Sequence, residues 1–268
     1  MKSSGVPKGI SRIRRVSRVR PVERQELKKK KVEATKKVAT NYSYEDKLKE
    51  PIRSDYLPVK RLFDILSASG LMVVTSPIVL LFGILVKLET PGSMFYSQER
   101  VGLMGKRFKV TKLRSMYTDA EKNSGAVWAS KNDSRVTKVG KFIRKTRIDE
   151  LPQLWNVIKG DMSMIGPRPE RPELTEKFSK EVKDFEQRLR VLPGLSGYAQ
   201  VHGGYDVTPE EKYKLDKYYM DNISLKEDLK IIGSLSNRIG EELLGEALTV
   251  VTQLMLLFDL REKYNQCD

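Results

Sequence analysis

Residues 62–88 read LFDILSASGLMVVTSPIVLLFGILVKL, and the way this stretch folds decides the arrangement of everything around it. Crossing the hydrocarbon core of a bilayer takes roughly 20 apolar residues in a helix, so the run is long enough. It has almost no polar face, which argues against the core helix of a soluble domain. Ser76-Pro77 lies near its middle, and a proline removes a helix hydrogen bond and clashes with the preceding turn. A break is therefore expected at Ser76-Pro77, with the serine hydroxyl placed to bond a carbonyl that Pro77 leaves free.

The flanks add an orientation. Cytoplasmic flanks collect Lys and Arg. Here Lys60 and Arg61 precede the run, while Lys87, Arg100, Lys106, Arg107, Lys109, Lys112 and Arg114 end or follow it. Both ends favour the same side of the membrane, so a helix that dips into one leaflet and returns fits better than a kinked single-pass anchor, which is the alternative. Asp64 reads as an interfacial residue close to Lys60 or Arg61.

The chain has 268 residues and a formal net charge of +15. Such a balance calls for an anionic partner: nucleic acid, an acidic membrane surface or phosphorylated substrates. The first fifty residues hold 16 Lys or Arg against 6 Asp or Glu, two-thirds of the excess. With few aromatics and little apolar periodicity, that segment reads as a disordered, solvated tail. The only cysteine is Cys267 and the only histidine His202, which excludes an intramolecular disulfide and disfavours a zinc cluster or a histidine triad. No secretory signal is expected, since the apolar run starts only after residue 60.

Beyond the apolar run, TPGSMFYSQERVG (90–102) and KRFKVTKLRSM (106–116) flank a glycine turn and predict a short β-hairpin. From about Gly140 the pattern is mostly helical. Thr208-Pro209-Glu210-Glu211 is a capping box with proline at the first helical position, and Ser224 with Glu227 repeats the signal. Leu243, Leu244, Ala247, Leu248 and Val251 form an amphipathic stripe suited to the domain or to the bilayer surface.

The chemistry concentrates in residues 143–174, IRKTRIDELPQLWNVIKGDMSMIGPRPERPEL. Leu151, Leu154, Trp155 and Ile158 share one helical face, so a helix is expected to begin near Asp149 with Pro152 in its first turn. Thr146 and Asp149 could then be a capping pair and nothing more. Against that, Arg144, Lys145 and Arg147 lie just before a helix N-terminus, whose free amides and dipole suit phosphate. The Gly166–Arg171 turn presents Arg168 and Arg171, whose guanidiniums bind phosphate oxygens in pairs. A carboxylate can attack phosphorus and form an acyl phosphate, while a neighbouring one holds a divalent cation.

KRLFDILSA (60–68), TSPIVLL (75–81), TPGSMFYSQERVG, KLRSM (112–116), the acid segment and LPGLSGYAQVHG (192–203) together resemble the bacterial sugar transferase family, the monotopic phosphoglycosyl transferases, over roughly residues 58–232. The resemblance implies an α/β, predominantly helical fold: a re-entrant membrane helix broken at Ser76-Pro77, a cytosolic domain with a short hairpin, and amphipathic interfacial helices. The division would be a basic cytoplasmic tail (1–57), the membrane helix (58–90), a catalytic domain (91–232) and a helical C-terminal region (233–268). Asp149 would attack the sugar-bearing phosphate of a UDP-sugar and release UMP, and Glu150 would help to bind Mg2+. Undecaprenyl phosphate would then take the sugar phosphate, a first membrane step of exopolysaccharide, capsule or glycan synthesis at the cytosolic face of the bacterial inner membrane. Arg144 and Arg168 would be the main phosphate binders, with Lys112, Arg114, Arg171 and Gln200 as further candidates. The basic tail would meet anionic membrane lipids, and a homo-oligomer is compatible with the pattern.

The chain departs from the family where Leu192 precedes Pro193-Gly194 in place of a basic residue, where Tyr198 replaces a common tryptophan, and at His202-Gly203-Gly204. Two other functions compete: a membrane-tethered basic scaffold or nucleic-acid-binding protein, and a sugar-nucleotide hydrolase. No aromatic platform or groove-reading motif supports nucleic acid as a partner.

Overall fold

The computed structural model describes Tyr44, residues 46–118, Ala120, residues 133–203 and residues 207–237. Residues 1–43 of the expected tail and the stripe from Leu243 to Val251 lie outside the described residues. The apolar run forms one helix, α1 (Tyr56–Glu89), of 34 residues, about 50 Å of helix contour at about 1.5 Å per residue. It is long and apolar enough to cross a membrane.

Pro77 lies inside α1 without interrupting it, so the expected break is not a break in helical backbone. The hydroxyls account for part of this. Ser76 Oγ donates to Val73 O at 2.8 Å, the carbonyl that Pro77 cannot serve, and Thr75 Oγ1 donates to Leu71 O at 2.7 Å. Side-chain back-bonding of this kind replaces or supplements the backbone bond and tends to bend a helix. Val73 and Val74 are 74% and 71% exposed, whereas Ala68 and Val86, on either side of the proline, are buried. The helix packs on the rest of the chain with both ends and leaves its apolar middle uncovered, as a soluble core helix would not.

Each end of α1 is fixed by polar side chains. Near its start Arg61 donates to Val157 O at 2.7 Å and Ile158 O at 2.9 Å, and Lys60 forms a buried ion pair with Asp228 at 2.5 Å. Asp64 does not pair with Lys60 or Arg61; its Oδ1 accepts from Met164 N at 3.0 Å. At the far end Glu89 accepts from Lys138 N and Val139 N at 2.7 and 3.0 Å. That contact covers amides at the start of the next helix, where free N–H groups need acceptors.

The hairpin forms as expected, with β1 (Phe95–Val101) antiparallel to β2 (Arg107–Leu113). Left-handed Met104 and Gly105 shape its turn. Tyr96, Gln98 and Arg100 stand opposite Lys112, Val110 and Phe108, so these six side chains share one face. After it come α2 (Lys138–Lys145), a 3-10 turn (Ile148–Gln153), α3 (Leu154–Lys159), β3 (Ser163–Ile165), α4 (Pro172–Glu181), a 3-10 helix (Phe185–Arg190), β4 (Gly194–Ser196), α5 (Tyr198–His202) and α6 (Pro209–Asp221). The capping box at Thr208 and Glu211 is made on both sides. A last helix, α7, covers 225–237 of the described residues and runs through the division expected at 232.

β3 and β4 pair in parallel, Ser163 opposite Gly194 and Ile165 opposite Ser196. Strands of three residues carry no readable alternation, so the sequence does not announce this pair. The main core joins Ala68 of α1 to Phe108 and Val110 of β2 and to Leu154, Val157 and Met162. A second cluster joins Val86, Leu113 and Ile143. The described part of the expected tail is not loose: Tyr44 is buried against Val101 and Leu189, Gln187 Nε2 donates to Lys47 O, and Arg190 Nε donates to Glu50 O.

Candidate active site

The acid pair is delivered by a change of helix type. Helix α2 starts on Thr137, whose Oγ1 accepts from Gly140 N at 2.9 Å, and ends at Thr146. Thr146 Oγ1 donates back to Phe142 O at 2.9 Å, so the Thr146–Asp149 capping pair is not formed. Arg147 then takes a left-handed conformation, φ 59°, uncommon for a residue with a side chain. That bend starts the 3-10 turn in which Asp149 and Glu150 are both buried. The helix expected from Asp149 becomes α-helical only at Leu154. Its register shifts accordingly: Leu154 and Val157 are buried, while Trp155, expected on the same face, is 54% exposed.

The two acids have different surroundings. Glu150 Oε1 accepts from Lys112 Nζ at 2.6 Å and from Arg168 Nη2 at 2.5 Å, with Arg147 Nη1 3.9 Å from Oε2. Burial by itself would push the Glu150 carboxyl up, but Arg168 and Lys112 hold it well below the usual carboxylate range. Glu150 in turn raises the Arg168 guanidinium further, and burial lowers Lys112 despite its partner. Asp149 is pushed up from 3.8 to about 6, chiefly by burial and with help from Glu150, against the pull of Lys112, Arg144 and Arg168. Two adjacent carboxylates therefore divide into one held down by cations and one pushed up to about 6 by burial.

Asp149 lines a cavity of about 520 Å³. Of the predicted phosphate binders, Arg144, Lys112, Arg168, Arg171 and Arg114 also line it, while Glu150 stands behind the wall. Arg114 has another engagement: Nη1 donates to Pro91 O at 2.6 Å and Nη2 to Thr90 O at 2.8 Å, which closes the C-terminal end of α1. Gln200 is not brought to the cavity. The β4 pairing sets α5 behind the Gly166 turn, and Gln200 Nε2 points to Leu195 O at 3.5 Å.

Sequence reasoning passed over Arg100, Arg135 and Lys212, which line the same cavity together with Glu170. For Arg100 the signal was available, since strand alternation puts it on the face of Lys112. Burial lowers Arg100 to about 10, although Glu170 pulls the other way. Glu170 is held down at about 2: burial opposes this, but Lys212 and Arg188 outweigh it. Phe95, Tyr96, Met116 and Tyr117 also line the cavity, Tyr96 directly beside Lys112. A lining that combines guanidiniums with aromatic rings suits a ligand that carries both phosphates and a ring system.

Among the described residues no group of three or more His, Cys, Asp or Glu side chains converges on one point. That donor set still fits magnesium of the kind that arrives with phosphate, which takes one or two carboxylates and completes its shell with phosphate oxygens and water. Two carboxylates line the cavity, Asp149 and Glu170, and Glu170 is held by Lys212 and Arg188. Glu150, expected as the metal ligand, is committed to Lys112 and Arg168 in this arrangement.

The profile described as Bacterial sugar transferase matches residues 55–238. The chain belongs to the bacterial sugar transferase family. A Bacillus subtilis relative, provisionally named an undecaprenyl-phosphate N-acetylgalactosaminyl 1-phosphate transferase, is 63% identical over 134 residues, 50% of this chain and 74% of its own length. An Aeromonas hydrophila relative, named a UDP-N-acetylgalactosamine-undecaprenyl-phosphate N-acetylgalactosaminephosphotransferase, is 43% identical over 202 residues, 74% of this chain. A Klebsiella pneumoniae relative, named a UDP-glucose:undecaprenyl-phosphate glucose-1-phosphate transferase, is 40% identical over 187 residues, 68% of this chain. The match spans 48% and 40% of the length of the latter two, so this bacterial sugar transferase corresponds to less than half of each.

Proposed function

We propose that the chain transfers a sugar 1-phosphate from a UDP-sugar to undecaprenyl phosphate through a phosphosugar-aspartate intermediate. The observation that carries this reading is Asp149, a carboxylate pushed up to about 6 by burial, lining a cationic cavity of a domain that packs on both ends of an apolar helix with an uncovered middle. An oxygen of ionised Asp149 attacks the phosphorus that bears the sugar; the bond from that phosphorus to the UMP oxygen breaks, and UMP leaves with the electron pair. A phosphate oxygen of the lipid then attacks the same phosphorus and displaces the Asp149 carboxylate, giving the lipid diphosphate sugar. Arg168, Arg144 and Lys112 line the cavity beside Asp149, where charge builds up, and Glu150 holds the Arg168 and Lys112 side chains in place. Magnesium bound with the diphosphate would supply charge neutralisation for the departing UMP, and Asp149 would hold it, since Glu170, the other carboxylate lining the cavity, is engaged by Lys212.

In this reading α1 is re-entrant and the protein monotopic on the cytosolic face of the inner membrane. Supporting this are Pro77 at the middle of the exposed segment, basic residues on both flanks, and the packing of both helix ends on one domain. The names of the relatives at 63% and 43% identity make UDP-N-acetylgalactosamine the donor to test first, with UDP-glucose second. The product would begin an exopolysaccharide or capsule repeat. The test is UMP release by detergent-solubilised protein with magnesium, a panel of UDP-sugars, and undecaprenyl phosphate present or absent. Lipid-dependent release with one sugar, lost in Asp149→Asn, is expected; Asp149→Asn with full turnover, or release that ignores the lipid, overturns the reading.

A further inference from the structure

The turn Gly166–Arg171 that carries Arg168 contains two prolines, which donate no backbone hydrogen bonds. Its place depends on donors from elsewhere. Pro167 O accepts from Gly194 N and Glu170 O from Val101 N, each at 3.0 Å. Pro169 O accepts from Arg100 Nη1 at 3.2 Å, and Arg168 O from Arg188 Nη2 at 2.8 Å. Gly194 and Val101 are strand residues, and Arg100 belongs to the cavity wall. Arg188 is different: it sits on the 3-10 helix Phe185–Arg190, is 3% exposed, and does not line the cavity.

A guanidinium taken out of water is tolerated only when its donors are met. Arg188 Nε and Nη2 both donate to Asp216 Oδ2, at 3.0 and 2.6 Å. Its Nη1 lies 3.8 Å from Glu170 Oε1, which Lys212 of α6 also holds. One rigid fork therefore ties α6 to the backbone of Arg168 and to the side chain of Glu170. A lysine ammonium on a flexible stem cannot span these partners in the same geometry. The 3-10 helix is itself gripped from outside the family-matched span, since Ile52 N donates to Arg190 O at 3.0 Å.

We propose that Arg188 is a positioning residue for the transfer reaction, setting where the Arg168 guanidinium meets Glu150 and the substrate phosphate. The proposal rests on the reading of the cavity as a nucleotide-sugar site. Arg188 touches no substrate; it acts through the Arg168 carbonyl and the Glu170 carboxylate. Its removal is thus felt as a displaced Arg168.

The test is a double-mutant cycle of Arg188→Lys and Arg168→Lys in the full-length, detergent-solubilised protein. Two readouts are taken well below each variant's melting temperature: the Kd of magnesium–UDP by calorimetry, and UMP release. Arg188→Lys alone is expected to weaken UDP binding and turnover about tenfold, but less than about threefold when Arg168 is already lysine, because coupled residues are non-additive. Equal losses in both backgrounds mark Arg188 as merely structural and overturn the proposal, as does the absence of any loss. Should Arg188→Lys fail to fold, Asp216→Asn, which leaves an acceptor for Arg188 without fixing its orientation, enters the same cycle with the same expectations. Wild-type protein that binds magnesium–UDP but releases no UMP from any UDP-sugar refutes the transferase reading, and the cycle is then decided on affinity. Wild-type protein that binds no UDP overturns both.

Discussion

Asp149→Asn should abolish transfer and at the same time make the protein more stable. The Asp149 carboxyl is 6% exposed and is raised from 3.8 to about 6, first by burial and then by Glu150. A tenfold change in proton affinity corresponds to about 1.4 kcal/mol, so keeping Asp149 ionised in the folded state costs on the order of 3 kcal/mol at pH 7.5. The folded pKa lies above the unfolded one, so the folded state binds the proton more tightly. Stability conferred by the protonated carboxyl is present at low pH and is lost as pH rises from about 4 to about 6. Asparagine keeps the shape without that penalty. For a domain of this size roughly 2–4 °C accompanies each kcal/mol, which places the gain at roughly 6–12 °C. The assay is thermal unfolding of wild-type and Asp149→Asn protein in one detergent across pH 4.5, 5.5 and 7.5. The variant's advantage should be largest at pH 7.5 and shrink steadily on acidification. An advantage independent of pH, or a variant no more stable than wild type at pH 7.5, would refute the argument that burial strains this carboxylate.

Three further outcomes follow from the same geometry. kcat/KM for the UDP-sugar should fall about tenfold for each further drop of one in pH below about pH 6, because the attacking form of Asp149 is the carboxylate; a profile flat down to pH 5 contradicts that role. Glu150→Gln removes the anion between Lys112 and Arg168 and leaves two cations side by side, so UMP release should drop by about 100-fold or more, with a lower melting temperature. Gly140→Ala would place a Cβ 2.0 Å from Ser115 O and 2.7 Å from Thr137 Oγ1, forcing α2 to move at a cost of about 1–3 kcal/mol; chemical denaturation that detects no loss would show that the contact can relax.

What could be read from the chain without its structure was what depends on neighbours in sequence. A long apolar run with Ser76-Pro77 inside it, an alternating hairpin, the Thr208 capping box and an acid pair between arginines all follow from local spacing. The order of these motifs was enough for the family. What the spacing could not show was how adjacent Asp149 and Glu150 differ. Nothing local separates them; the difference arises because Lys112, 38 positions away, and Arg168, 18 positions away, both close on Glu150. Similarly, Arg114 and Arg168 look alike in sequence, yet one guanidinium is engaged by the carbonyls at the end of α1 and the other by Glu150. Gln200 does not line the cavity, and the parallel pairing of two three-residue strands just before it is too short to leave a pattern. Lys212 and Arg188 were brought in by contacts that cross the fold. Sequence determined which groups are available for the chemistry, because side-chain type and helix or strand period are local properties. Tertiary structure decided which of them face the cavity, which are neutralised and which only hold others in place, because burial and charge pairing act through space.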